Sequence, residues 1–216
     1  AKLLRFASTK SADRDDLVSL DDYIARMKPG QEAIYYLTAD GWNAARNNPQ
    51  LEALKAREVE VLLLHERIDE WMAGYLFEYA GKSLKNVAKG DLDLDPLAEP
   101  ADKAAREEAK KAAGGLVERL KTQLGERVKD VRVSDRLTTS PSCLVLEEHD
   151  MALHMQRLLK AAGHEVPGGK PVLEINPAHA LLRRYEAETE LARGEDIALL
   201  LLEQAQLAEE IGRAHV

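Results

Sequence analysis

The sequence predicts two units in series: a small three-layer α/β subdomain with a short parallel sheet, followed by an α+β domain. Three observations predict them. Strand-like and helix-like segments alternate over residues 1–90, the pattern of βαβ crossovers and a parallel sheet. Residues 91–102 (DLDLDPLAEPAD) then carry five acids, two prolines and no base, the composition of a solvated linker. Beyond it, strands and helices follow without strict alternation. The expected boundaries are 1–95 and 96–210, with 211–216 set apart.

Within the first unit, Ser19 is an N-cap candidate with Asp21 and Asp22 in the first turn, and Leu20, Tyr23, Ile24 and Met27 follow at helical spacing. Pro29-Gly30 ends that helix. AIYYLT (33–38) is β-branched and aromatic, and VEVLLL (59–64) reads as a second, buried strand. Between them, 41–55 reads as helix, interrupted around Asn47-Asn48-Pro49. A helix over 67–79 carries Ile68, Trp71, Met72, Tyr75 and Leu76, and 83–88 is a third short strand.

In the second unit, an Ala-, Lys- and Glu-rich helix spans about 102–124, with Leu116, Val117, Leu120 and Leu124 as its apolar stripe and Gly125 as its stop. Strands follow at 128–133, 143–146 and 171–175, with a helix at 150–162 stopped by Gly163. Helices over about 177–191 and 195–209 close the chain.

Composition narrows the function. The chain has 216 residues, 45% hydrophobic and 31% charged, with a net charge of -8. Wholesale disorder is excluded by the apolar fraction. Net acidity argues against nucleic acid as a partner. No apolar run approaches the roughly 18 residues of a bilayer span, so no membrane is expected. A single Cys forms no internal disulfide and suits a reducing compartment, and no signal-peptide pattern opens the chain. A cytoplasmic location is the expectation. Absence of an initiator Met suggests a fragment.

Motifs of chemistry are near misses. In GHEVPGGK (163–170), Gly169 stands where a phosphate loop needs Lys, and Pro171 where it needs Ser or Thr. Asp91, Asp93, Asp95, Glu99 and Asp102 fall at calcium-loop spacings, but Pro96 occupies the turn position that requires Gly. His149 and His154 are five apart and do not stack on one helical face. Cys143 has no nucleophile motif and reads as a small buried apolar residue. No metal ligand set or catalytic residue emerges, and the chain itself is not expected to be an enzyme.

Apolar surface is the stronger signal. Met151, Met155, Leu158 and Leu159 follow i, i+4, i+7, i+8 on one helix. That is either a core stripe or an adaptable binding face. Trp71, beside Asp69 and Glu70, is either core or a partly exposed anchor. Ile197 and Leu199–Leu202 make the last helix apolar on every side, so it needs cover from more than one direction.

LLRFAS (3–8), SLDDYIARMKPGQEAIYYLTAD (19–40), VEVLLLHERIDEWMAGYL (59–76), LGERVKDVRVSDRLTTSPSCLV (124–145) and LEINPAHALLRR (173–184) resemble the bacterial 90-kDa heat-shock protein chaperones in order and over residues 2 to about 209. The resemblance implies the end of the middle domain followed by most of the C-terminal dimerisation domain. It implies a homodimeric, ATP-dependent chaperone of stress response and protein folding, whose partners are unfolded clients and co-chaperones. ATP and magnesium bind an N-terminal domain that these segments do not match, so this chain is expected to hold no cofactor.

By the same resemblance, Glu70 and Trp71 lie in the family's acidic-Trp client patch, and Met151, Met155, Leu158 and Leu159 on its client-facing helix. Leu159 stands where some members carry an aromatic, and Gly74 where some carry a polar side chain. The last helix, with Ile197, Leu200, Leu201, Gln204 and Leu207, matches the first of the two helices each protomer gives to the dimer interface. The second is expected to follow it. Instead the chain reads IGRAHV (211–216), which is what ATC-GGA-AGA-GCA-CAC-GTC encodes, and this is read as a non-native tail. The competing expectation is a purely structural dimerisation module, with Met151 and Leu158 buried and no direct client contact.

Overall fold

A computed structural model of the chain describes residues 1–92, 94, 100–148, 150, 163 and 169–210. Its first sheet has six strands: β1 (Arg5–Ser8), β2 (Val18–Ser19), β3 (Ala33–Thr38), β4 (Leu62–Leu64), β5 (Glu78–Tyr79) and β6 (Lys82–Asn86), in the order β2-β1-β4-β3-β6-β5. The centre matches the βαβ expectation, since β3 runs parallel to both β4 and β6. The sheet as a whole is mixed, because β1 is antiparallel to β2 and β4, and β5 to β6. The β5–β6 pair is forced antiparallel by a two-residue turn, with Ala80 at φ 50 and Gly81 at φ 76.

Alternation along β3 puts Ala33, Tyr35 and Leu37 in one core and Ile34 in another, on opposite faces. The first face is covered by α2 (Trp42–Arg46), a 3-10 turn (Pro49–Leu51) and α3 (Glu52–Ala56), which bring Ala45, Leu51, Ala53 and Leu54. The second is covered by α1 (Leu20–Ala25), which brings Leu20 and Tyr23, and α4 (Arg67–Ala73), which brings Met72 and Ala73. Ser19 caps α1 as the spacing suggested, and Asp22 completes a reciprocal capping box. The helix expected over 67–79 stops at Ala73; Gly74 follows, and the chain has already become β5 by Glu78.

The second sheet has three strands, β7 (Asp130–Val133), β8 (Ser142–Val145) and β9 (Val172–Ile175), in the order β7-β9-β8. Here β7 is parallel and β8 antiparallel to β9. The helix expected over 102–124 is two, α5 (Pro100–Ala112) and α6 (Gly114–Leu124), broken where the poor helix formers Gly114 and Gly115 enter. With α7 (Ala180–Ala187) and α8 (Leu191–Glu210), α6 covers one sheet face through Leu116, Leu120, Leu124, Leu182, Tyr185, Ala198, Leu201 and Ala205.

The described part of the acidic stretch is not a solvated linker. Leu92 and Leu94 are buried in the first core, and Asp91 pairs with Arg132 at 2.5 Å. The helix expected over 150–162, and most of the calcium-loop and phosphate-loop look-alikes, lie outside the described residues. No described helix is long and apolar enough to cross a membrane.

A candidate client surface and a candidate interface helix

Large exposed apolar side chains are concentrated in two places. Four lie between positions 68 and 77: Ile68 (69% exposed), Trp71 (61%), Tyr75 (83%) and Phe77 (69%). Three lie on α8: Leu191, Leu200 and Leu207. Clustering of this kind, unlike single scattered residues, makes them candidates for a binding surface.

The first patch follows from how α4 is laid down. Its start is fixed by a reciprocal pair, in which the Glu66 amide donates to the Asp69 carboxylate and the Asp69 amide to the Glu66 carbonyl, both at 3.0 Å. Burial raises the pKa of Asp69. Met72, Ala73 and Leu76 then turn inward onto the sheet, which leaves Ile68, Trp71 and Tyr75 outward at i, i+3, i+7. Phe77 continues the exposed run into β5. Tyr79 anchors that end, its hydroxyl donating to Asp21 on α1 at 2.8 Å. This bond is the main reason the Tyr79 pKa is raised.

The apolar spacing of 67–79 therefore held two faces, one inward and one outward. Ile68 and Tyr75 were missed as surface residues for that reason, and Phe77 was not part of the spacing at all. The signal was present in the width of the stripe: one short helix cannot bury Ile68, Trp71, Met72, Tyr75 and Leu76 together. Trp71 is outward, and nothing is described of the Glu70 side chain. The other tryptophan, Trp42, packs edge-on against His65 with ring centroids 5.8 Å apart, under the Arg46 guanidinium. Met151, Met155, Leu158 and Leu159 lie outside the described residues.

The last helix also divides. Ala198, Leu201, Leu202 and Ala205 are buried against the chain's own sheet. Ile197 is half-buried, and Leu200, Gln204 and Leu207 face solvent. Leu201 is thus core of this chain, and the open face is made by its neighbours. The all-round apolar character has a simple account: one half of the helix surface packs at home and the other half is uncovered.

Cys143 lies in a small buried cluster with Leu137 and Val145. Burial pushes its thiol pKa well up, which keeps it protonated and unreactive. Among the described residues, no three His, Cys, Asp or Glu side chains converge as a metal site.

Comparison with known proteins agrees with the resemblance drawn from the segments. The family model described as Hsp90 protein matches residues 1–212. Chaperone protein HtpG of Chromobacterium violaceum is 54% identical over 209 residues, covering 97% of this chain and 33% of that relative. HtpG of Halorhodospira halophila is likewise 54% identical, with the same coverage. The chain spans about a third of the length of these relatives.

Proposed function

The chain belongs to the Hsp90 family of chaperones, and we propose that it supplies client-binding surface and part of the homodimer interface of an ATP-dependent member. The chain corresponds in this reading to the end of the middle domain and most of the C-terminal dimerisation domain. ATP and magnesium belong to the family's N-terminal domain, and neither client binding nor dimerisation on this chain is routed through them. A cytoplasmic location and co-chaperone partners complete the reading.

The observation that carries it is the outward cluster of Ile68, Trp71, Tyr75 and Phe77. Broad rings and aliphatic chains without fixed polar partners suit unfolded polypeptides, which present apolar side chains in no set geometry. Glu70 and the 151–159 stripe are proposed as the rest of the client surface. Ile197, Leu200, Gln204 and Leu207 are proposed as the interface face of α8, with Leu201 supporting it from beneath.

Two experiments test this. Aggregation of a chemically denatured protein is followed by light scattering with and without the chain. Trp71→Ala is expected to lose at least about half of the suppression, and equal suppression by the variant overturns the client role. In a Trp42→Phe background, the emission of Trp71 is expected to shift to the blue as client binds. For the interface, sedimentation over a concentration series is expected to show weak self-association abolished by Leu207→Glu; an unchanged profile removes α8 from the interface.

A further inference from the structure

We propose that residues 134–140, nearly the whole of the β7–β8 connection, form a conformational latch that fixes the angle between the two cores, and with it the position of the Trp71 patch relative to the open face of α8. The inference goes beyond what either surface binds.

The two halves meet without a shared hydrophobic core. The clusters built on the first sheet and those built on the second have no residue in common. Polar groups hold the join instead, and most converge on one short segment. At its tip, the Glu52 carboxylate on α3 accepts the backbone amides of Thr138 (2.7 Å), Thr139 (2.7 Å) and Ser140 (3.1 Å), and the Ser140 hydroxyl at 2.5 Å. At its middle, the Arg136 carbonyl accepts the Ala53 amide at 2.9 Å. The Arg136 side chain, 1% exposed, donates to the carbonyls of Val87 at 3.0 Å and of Gly90. On its own side, Arg136 is held by Glu174 at 2.5 Å. Ser134, whose hydroxyl donates to Glu174 at 2.6 Å, braces the base.

Other contacts between the halves are of a different kind. Lys89 and Leu146 form an isolated bridge, with the Gly90 amide donating to the Leu146 carbonyl at 2.8 Å and the Leu146 amide to that of Ala88 at 3.2 Å. Gly90 sits at φ 57, a conformation other residues rarely adopt. This backbone contact, together with the buried Gln50 amide that donates to the Leu144 carbonyl at 2.7 Å and to Glu209 at 2.8 Å, is the pivot. The latch is the side-chain set that stops rotation about it. Apolar seams slide and re-form, whereas directional bonds to one carboxylate and one guanidinium are either made or broken, which gives two states. Thr138 and Thr139 are exposed, so water can replace Glu52 at the tip first.

The test uses the full chain and the variants Glu52→Gln and Glu52→Ala. Hydrogen exchange of amides 138–140 is expected to speed up about tenfold or more in Glu52→Ala, as loss of charge-assisted bonds implies, while amides of β3 and β9 keep their wild-type rates. Spin labels at Asn43→Cys on α2 and Glu186→Cys on α7, in a Cys143→Ala background, report the angle. Their distance distribution is expected to gain a second population in Glu52→Ala, less so in Glu52→Gln, and none in the control Glu58→Ala. A single unchanged distance in Glu52→Ala overturns the latch. So does faster exchange throughout β3 and β9, or unfolding by both Glu52 variants, because the segment would then be part of one indivisible fold.

Discussion

Two buried acids, one in each half of the molecule, show how similar chemistry serves different ends. Glu60 lies under the first sheet. It accepts the Ser8 hydroxyl at 2.7 Å and a two-pronged Arg26 guanidinium at 2.9 and 2.8 Å. Glu174 lies in the central strand of the second sheet and meets two guanidiniums, Arg132 at 2.8 Å and Arg136 at 2.5 Å, besides Ser134. The Arg26 side chain is 38% exposed; that of Arg136 is 1% exposed. Removing Glu60 therefore leaves a cation that water can reach. Removing Glu174 strands one that it cannot, and leaves Arg136 held only by the Val87 and Gly90 carbonyls of the first half.

That difference sets the largest expected effect. Glu174→Ala should destabilise the chain by about 3–5 kcal/mol, the usual result of leaving a buried charge unpaired. Glu60→Ala should cost about 1–3 kcal/mol, the range for an orphaned buried hydrogen-bonding group. Urea denaturation of both variants measures the contrast. Equal losses, or a larger one at Glu60, would break the comparison.

A second prediction sharpens it from the Glu60 side. The Tyr23 hydroxyl is a hub: it donates to the Glu60 carbonyl at 2.7 Å and accepts from Gln31 Nε2 at 2.9 Å and the Tyr35 amide at 3.0 Å. Burial pushes its pKa far up, so it stays neutral. Tyr23→Phe should cost about 1–3 kcal/mol, with faster exchange at the Tyr35 amide. No change in that amide would show that the hub does not hold β3.

How much of this was legible in sequence differs by region. The strand at 33–38 could be read residue for residue because its β-branched and aromatic run is bounded by turn residues on both sides. Ser19 could be read as a cap because a cap is local chemistry. The β5–β6 hairpin was missed: Ala80-Gly81 is not a common turn pair, and the helical spacing of 67–79 continued across it. The outward face of α4 was legible as apolar but not as exposed, since periodicity shows which residues align and not what lies opposite them. Nothing in the sequence placed Glu52 beside 138–140 or Arg136 beside Val87, because those pairs are joined only by the fold.

Acid offers a third, smaller effect, at the join itself. Partial burial opposes ionisation of Glu52, but the bonds donated by Ser140, Thr139 and Thr138 outweigh it and hold its carboxyl below the usual range. A depressed folded value means the contribution is complete above the ordinary carboxylate pKa and is lost as pH falls through the folded one. Wild type should therefore melt above Glu52→Gln at neutral pH, by about 2–4 °C for a bond set worth about 1 kcal/mol. The two should converge once the pH has fallen below that depressed value. A gap that persists in acid would mean that the Glu52 charge is not what closes the latch.

The smallest effect calibrates the rest. Ala80 is exposed and holds φ 50 at the first central position of the β5–β6 turn, with Gly81 at φ 76 after it. A side chain with a β-carbon is strained there, and Asn tolerates the conformation best after Gly. Ala80→Asn should stabilise the chain by about 0.5–1 kcal/mol, and Ala80→Val should destabilise it, since β-branching makes the left-handed region still less accessible. No buried charge or cross-join contact is involved, so the pair measures what a purely local backbone term is worth in the first half. Thermal melting with Glu60→Ala in the same background should show simple additivity. Coupling between the hairpin and Glu60 would mean that the first half responds as one unit, and that its contrast with the Glu174 network is one of degree.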